Sequence, residues 1–172
     1  IRDGETTAVR LKGGYESNGQ QGLGSVILAH RFSENFEVLA TGNLRQSGNV
    51  TLANGTTLTG SEFKSWSGLL KGTARFGEGN EQVVRASYQQ WSSGGNDMPY
   101  TQTSYENTFG TTDRQVTDKT AIFSYENPAS DNPWLDLNVV LSYSDTVNAQ
   151  TGHTQGPPMM VAPGVFVPIV AT

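Results

Sequence analysis

Residues 134–145, WLDLNVVLSYSD, alternate between apolar and mostly polar side chains, and this alternation decides the fold class. Every second residue of an extended chain falls on the same side. One side of this segment carries Leu135, Leu137, Val139, Leu141 and Tyr143. The other side carries Asp136, Asn138, Val140, Ser142 and Ser144. The pattern predicts a β-strand with one apolar face, which either packs on a protein core or faces lipid.

The composition favours a strand-rich chain over a helical one. Only 35% of the 172 residues are hydrophobic, and 20 are glycine. The absence of cysteine excludes disulfide frameworks and thiolate metal sites. A net charge of −5 without clustered Lys and Arg argues against nucleic acid as a partner. No stretch has the roughly 18 consecutive apolar residues of a membrane helix, but closed barrels cross membranes with strands of low mean hydropathy.

Seven segments follow the strand pattern, and none has a helical period. They span residues 7–16, 22–33, 36–46, 64–76, 81–91, 114–127 and 134–145. Tight turns at 33–35, 77–80 and 130–133 alternate with long polar loops at 47–63 and 92–113. This alternation, with strands of about ten residues or more, is typical of outer-membrane barrels. We predict an all-β antiparallel meander that forms a segment of a transmembrane β-barrel.

The two predicted faces differ in charge. On the clean strands the apolar face carries no Lys or Arg, and the opposite face carries Arg10, Lys12, Arg45, Lys71, Arg75 and Arg85. In a barrel these cations point into the lumen, whereas in a soluble sandwich they meet water. Aromatic residues lie near both ends of the strands, as in the girdles of membrane barrels. They are Phe36, Phe76 and Trp134 near the tight turns, and Tyr15, Trp66, Tyr88 and Tyr143 nearer the long loops.

The long loops contain the candidate ligand-binding residues. Residues 96–113 include Tyr100, Tyr105 and Phe109 with three acidic and no basic side chains. Exposed aromatics in a long loop suit ligand capture, and packing of the loop on its neighbours is the alternative. His153, in a predicted loop at 150–154, suits axial ligation of heme iron, and a solvated loop histidine is the alternative.

No catalytic constellation is recognisable. The two histidines are His30 and His153, and nothing in the sequence places a nucleophile and an orienting acid near either of them. We therefore expect no enzymatic activity, no resident cofactor and no metal site.

Two stretches resemble TonB-dependent outer-membrane receptors. IRDGETTAVRLKGGYESNGQQ, residues 1–21, is similar to the point at which such a chain leaves its plug domain and enters the first barrel strand. SGLLKGTARFGEGNEQVVRASYQQWSSGG, residues 67–95, and DMPYTQ, residues 97–102, are similar to receptors for heme, hemoglobin and related iron sources. The resemblance covers roughly residues 1–150.

The resemblance implies a barrel of about 22 strands closed around an N-terminal plug. Such a receptor is a ligand-gated importer of heme, a siderophore or another iron source in the outer membrane of a Gram-negative bacterium. Its implied partners are outer-membrane lipid, the iron-source ligand and a TonB-type energy-coupling protein that acts through the plug. The chain begins at Ile1 without an initiator Met or a signal segment, so we expect a removed leader or a piece of a longer protein.

Residues 151–172 form an apolar tail that contains GPPMMVAPGVFVPIVAT. Val165, Val167 and Ile169 alternate, which permits an eighth strand from about residue 160 and a small closed barrel. Pro163 and Pro168 each lack a backbone donor and disfavour a central strand, so an apolar extracellular loop, or sequence foreign to the family, is the alternative. A soluble or surface β-sandwich that serves in binding or adhesion remains the rival fold.

Overall fold

The computed structural model describes residues 4–99, 111–128, 136–153, 155–162 and 165–170. Seven strands form one antiparallel sheet in the order of the chain, interrupted only by a small hairpin in one loop. The seven strands are β1 (Thr7–Glu16), β2 (Gln21–Ser33), β3 (Phe36–Ser47), β6 (Phe63–Phe76), β7 (Gln82–Pro99), β8 (Thr111–Asn127) and β9 (Leu137–His153). The hairpin consists of β4 (Val50–Thr51) and β5 (Thr57–Leu58), between β3 and β6. The prediction of an all-β antiparallel meander is confirmed. The sheet is open, with β1 and β9 at its edges.

The first four predicted strands agree with β1, β2, β3 and β6 to within one residue at each end. The tight turns at 33–35 and 77–80 are also confirmed, the second as a 3-10 turn at Glu78–Asn80 that matches another at Asn18–Gln20. The predicted turn at 130–133 lies outside the described residues. No helix in the described part of the chain has the length and hydropathy of a membrane span.

The later strands are longer than predicted. β7 continues to residue 99 instead of 91, β8 begins at 111 instead of 114, and β9 continues to 153 instead of 145. The assignment of residues 92–99 and 111–113 to a loop was therefore wrong. These segments are polar and lack the alternation of apolar residues that predicts a strand. They are strands because their backbone groups pair with those of neighbouring strands.

The register places the predicted apolar residues on one side of the sheet. Directly paired residues of an antiparallel ladder point to the same face. One row crosses all seven strands through Val9, Leu28, Ala40, Leu70, Tyr88, Ala121 and Tyr143. We call this side the apolar face. The opposite side, the polar face, contains the row Lys12, Ser25, Asn43, Ser67, Trp91, Asp118 and Thr146.

The separation of the two faces is not complete. Lys64 pairs with Gly94, and Lys119 pairs with Asp145, both on the apolar face. The expectation that this face lacks Lys and Arg is therefore wrong at these two positions. Conversely, Ile27 and Leu69 lie on the polar face, in the row of Arg10.

The apolar face is exposed. Among the described residues, no hydrophobic side chain is buried, and Leu70 and Leu141 are 55% and 63% exposed. The buried side chains of this part of the chain are polar instead, including Thr73 at 5% on the polar face. Strand β6 shows the contrast, because Leu70 is exposed while its neighbours Leu69 and Lys71 are half-buried. Water-soluble sheets bury their apolar side, whereas no hydrophobic side chain of this sheet is buried among the described residues.

The tail does not continue the sheet in its described portion. Strands β10 (Gln155–Ala162) and β11 (Val165–Val170) pair only with each other, in a separate two-stranded sheet. The register shifts between Gly156 and Met159, across Pro157 and Pro158, because proline has no N–H to donate to a ladder. β9 ends at His153, so the predicted boundary at residue 150 falls within a strand.

The loop between β3 and β6 is held by the β1–β2 turn. The side-chain amide of Asn18 donates to the Thr51 carbonyl over 2.9 Å, and its oxygen accepts the Thr51 N–H over 2.8 Å. The Gly48 N–H donates to the Gly19 carbonyl over 2.7 Å. Gly19 has φ +73°, in the left-handed region that favours glycine.

Replacing Gly19 with alanine is expected to lower the free energy of unfolding by about 1–3 kcal/mol, because the left-handed backbone strains a side chain. The new Cβ would also lie 2.8 Å from Ser47 Oγ and 3.0 Å from the Gly48 carbonyl. Gly24→Ala is the matched control, since its Cβ meets nothing within 4 Å. Urea unfolding in detergent micelles, followed by tryptophan fluorescence, measures both variants. Equal midpoints for the two would contradict the close approach at Gly19.

Candidate functional site

The structure brings the six cations predicted to line a lumen onto the polar face. They are Arg10 and Lys12 on β1, Arg45 on β3, Lys71 and Arg75 on β6, and Arg85 on β7. The register connects them across strands that are separated in sequence, as where Thr73 on β6 pairs with Arg85 on β7. The prediction that they share one side of the sheet is confirmed. A lumen-facing orientation stays a prediction.

Half of these cations have partners on the same face. Arg85 Nη1 lies 2.6 Å from Glu126 Oε1, and Arg75 Nη1 lies 3.5 Å from Glu37 Oε1. Arg45 donates to Gln21 Oε1 over 3.0 Å, and its guanidinium lies 5.3 Å from the centre of the Phe63 ring. The two ion pairs are partly exposed, so each contributes about 0–1 kcal/mol. They order the tight-turn end of the polar face.

Arg10, Lys12 and Lys71 form no ion pair with any described residue. The first two lie on the edge strand β1, and Lys71 lies near the middle of the sheet. These three positive charges are available to an anionic partner that lies against the polar face.

A second cluster lies at the long-loop end of β7, β8 and β9. We call it the rim cluster, and it consists of Asp97, Asp113 and His153. His153 Nε2 lies 3.1 Å from Asp113 Oδ2. One ligating atom from each of the three side chains lies within 4.8 Å of the other two. Thr111 Oγ1 donates to Asp97 Oδ1 over 3.2 Å, which positions the second carboxylate.

The register and a bulge assemble the rim cluster. Asp113 pairs with Thr151, and Thr111 pairs with His153, so Asp113 and His153 are diagonal neighbours on one face. The register of β7 against β8 shifts between Gly95 and Met98, which marks a bulge. Asp97 lies in this bulge with φ +49°, and its N–H donates to Asp113 Oδ1 over 2.8 Å.

The location of His153 differs from the prediction. The sequence suggested a loop, but His153 is the last residue of β9 and pairs with Thr111. It follows Val147 on the apolar side of the sheet, beyond the last large apolar residue of that strand on this face. The polar end of β9 is a strand because it pairs with β8, and the alternation of apolar residues in the sequence does not extend that far. Heme ligation by His153 stays a prediction.

The other predicted ligand-binding residues, Tyr100, Tyr105 and Phe109, lie outside the described residues. The sequence marked Asp97 and Asp113 only as acidic residues of a long loop. Their approach to His153 depends on strand register over 40 residues of chain, and no local motif signals it.

Hydrogen bonding lowers the pKa of the Asp113 carboxyl below its ordinary value. The largest cause is the Asp97 backbone N–H, and the hydrogen bond from His153 follows. Desolvation opposes these effects, and the charge of His153 adds to them. Asp113 is four residue pairs beyond the pair of Thr117 and Val147, outside the apolar part of the strands.

No protein-family model, no curated protein and no solved structure matches this chain. The resemblance of residues 1–150 to TonB-dependent receptors therefore stays a prediction. The function proposed below rests on the arrangement of the two faces of the sheet.

The Asp113 carboxyl is expected to titrate at a lower pH than an ordinary aspartate. His153→Ala should move the midpoint part of the way back, because the larger contribution of the Asp97 N–H remains. Since the folded-state pKa is lowered, the stabilisation is complete above the ordinary aspartate pKa and is lost as the pH falls through the folded-state value. Carbon-detected NMR of the carboxyl resonance measures this, with His30→Ala as the control. An ordinary midpoint in the unmodified chain would contradict the geometry.

Proposed function

We propose that this chain is a wall segment of an outer-membrane β-barrel that imports heme or another iron source with energy from a TonB-type partner. The observation that carries the proposal is the exposed apolar face of the seven-stranded sheet, on which no hydrophobic side chain of a described residue is buried. Only a non-aqueous surrounding makes an exposed face of this kind favourable.

The extent of the apolar face supports lipid as its surrounding. Every strand of the sheet has large exposed apolar side chains that would contact water if the sheet were in aqueous solution, including Leu11, Leu44, Leu70 and Leu141. A continuous apolar patch across a whole sheet exceeds what monomeric soluble proteins expose. The seven strands have 10–18 residues each, and a tilted strand needs about 9–11 residues to cross the hydrocarbon.

Aromatic contacts at the tight-turn end match a membrane interface. The rings of Phe32 and Phe36 stack with centroids 5.5 Å apart, and those of Phe76 and Tyr125 stack at 6.3 Å. The Tyr125 hydroxyl donates to Gln82 Oε1 over 2.8 Å. Rings with one apolar and one polar end are favoured where hydrocarbon meets headgroups.

The polar face supports a filled lumen. Arg10, Lys12 and Lys71 would pair with carboxylates of a plug domain that belongs to the longer protein. The two edges β1 and β9 would pair with further strands, because unpaired backbone groups are costly in lipid. Import then proceeds by ligand capture at the long-loop end, followed by rearrangement of the plug, and the segment itself supplies no chemistry.

Neighbouring leucines on β6 provide a matched test of the two faces. The chain has no cysteine, so Leu70→Cys and Leu69→Cys each create one labelling site. A fluorophore at position 70 is expected to be strongly quenched by brominated phosphatidylcholine in vesicles, and one at position 69 weakly. This follows because Leu70 lies on the exposed apolar face and Leu69 on the polar face. If quenching is equally weak at positions 69 and 70 in the folded chain, the result would favour the β-sandwich and overturn the proposal.

The import function has a separate test in cells. Disruption of the gene in the bacterium that carries it is expected to abolish growth on hemin as the sole iron source. Ferrous sulfate should restore growth, since iron then enters by another route. Unimpaired growth on hemin, with quenching at position 70 intact, would retain the barrel and reject heme as the iron source.

A further inference from the structure

We propose that the rim cluster binds one divalent first-row transition metal ion through His153 Nε2 and the carboxylates of Asp97 and Asp113. This inference does not depend on the proposed import function. It rests on the donor atoms, on their spacing and on the charges around them, all of which belong to described residues.

The donor set suits a transition metal. An imidazole nitrogen favours zinc, copper, iron and nickel, whereas carboxylate oxygens alone would favour calcium or magnesium. Each donor comes from a different strand, with Asp97 on β7, Asp113 on β8 and His153 on β9. Three protein donors leave further coordination positions for water, and the exposed setting of Asp97 and His153 gives solvent and the ion direct access.

The spacing suits a common ion. Zinc lies about 2.0–2.2 Å from nitrogen and oxygen ligands, so two ligands at 90–110° are separated by about 3.0–3.5 Å. His153 Nε2 and Asp113 Oδ2 are 3.1 Å apart. The third donor, from Asp97, is within 4.8 Å of both, so its binding to the same ion requires at most a side-chain rotation of Asp97. A metal ion can bind His153 Nε2 only when that nitrogen carries no proton, so binding replaces the contact between Nε2 and Asp113.

The charge balance distinguishes this cluster from Glu37 and Glu126. Glu37 and Glu126 each face an arginine at the tight-turn end. At the rim, two carboxylates each place an oxygen within 4.8 Å of one histidine nitrogen, and no Lys or Arg in the described part of the chain pairs with either carboxylate. A divalent cation would neutralise both carboxylates at once.

The bound ion would fasten the long-loop ends of three strands together. Asp97 lies in the bulge where β7 departs from regular pairing, and His153 is the last residue of β9. Metal binding therefore stabilises the rim against local opening, at the base of the segment that joins Pro99 to Thr111.

Zn²⁺ binding to the full chain in detergent micelles tests the site. Isothermal titration is expected to show one ion per chain. His153→Ala, Asp113→Asn and Asp97→Asn should each weaken binding at least about tenfold, since loss of a mere partner of a ligand already costs about 10–100-fold. His30→Ala and Asp118→Asn are the matched controls and should bind as the unmodified chain does. Absence of binding, or unchanged affinity in His153→Ala, would reject the site.

A second measurement needs no substitution and so does not depend on the folding of variants. Diethylpyrocarbonate modifies accessible histidines, and the chain has His30 as an internal reference. Zn²⁺ is expected to slow modification of His153 about tenfold or more while His30 reacts as before, because a bound metal occupies the reactive nitrogen. Equal rates with and without Zn²⁺ would overturn the proposal. Protection by Ca²⁺ as strong as that by Zn²⁺ would overturn the assignment to a transition metal.

Discussion

The lateral backbone hydrogen-bond ladder is the interaction on which the rest of this structure depends. Seven strands pair in the order of the chain, and no hydrophobic side chain among the described residues is buried to reinforce them. The ladder satisfies the peptide groups of every interior strand without a second layer. Both faces of the sheet are consequently free to meet different surroundings.

The register of this ladder decides which side chains share a surface. A slip of one residue in any pair would transfer every apolar side chain of that strand to the cationic side. The observed register keeps Val9, Leu70 and Tyr143 in one row although they are far apart in sequence. The exposed apolar face, the arginine–glutamate pairs and the aromatic contacts all follow from that single set of pairings.

The same pairings make the rim cluster possible. β8 aligns Asp113 diagonally to His153, and a bulge in β7 brings the Asp97 N–H to the Asp113 carboxylate. Three residues without a common sequence motif thus become neighbours at the end where the strands are most polar. Regular pairing supplies the scaffold, and the bulge in β7 supplies the third donor.

Sequence alone determined the fold class, four of the strands nearly to the residue, two tight turns and the common face of six cations, because a period of two is a local property of the chain. It failed at 92–99 and at His153, where polar strands persist through pairing with neighbours rather than through an apolar face. The position of Lys64 and Lys119 on the apolar face was also not predicted from the sequence. Only the tertiary structure decided the open edges, the self-pairing of β10 with β11, and the rim cluster, since each depends on register between segments distant in sequence.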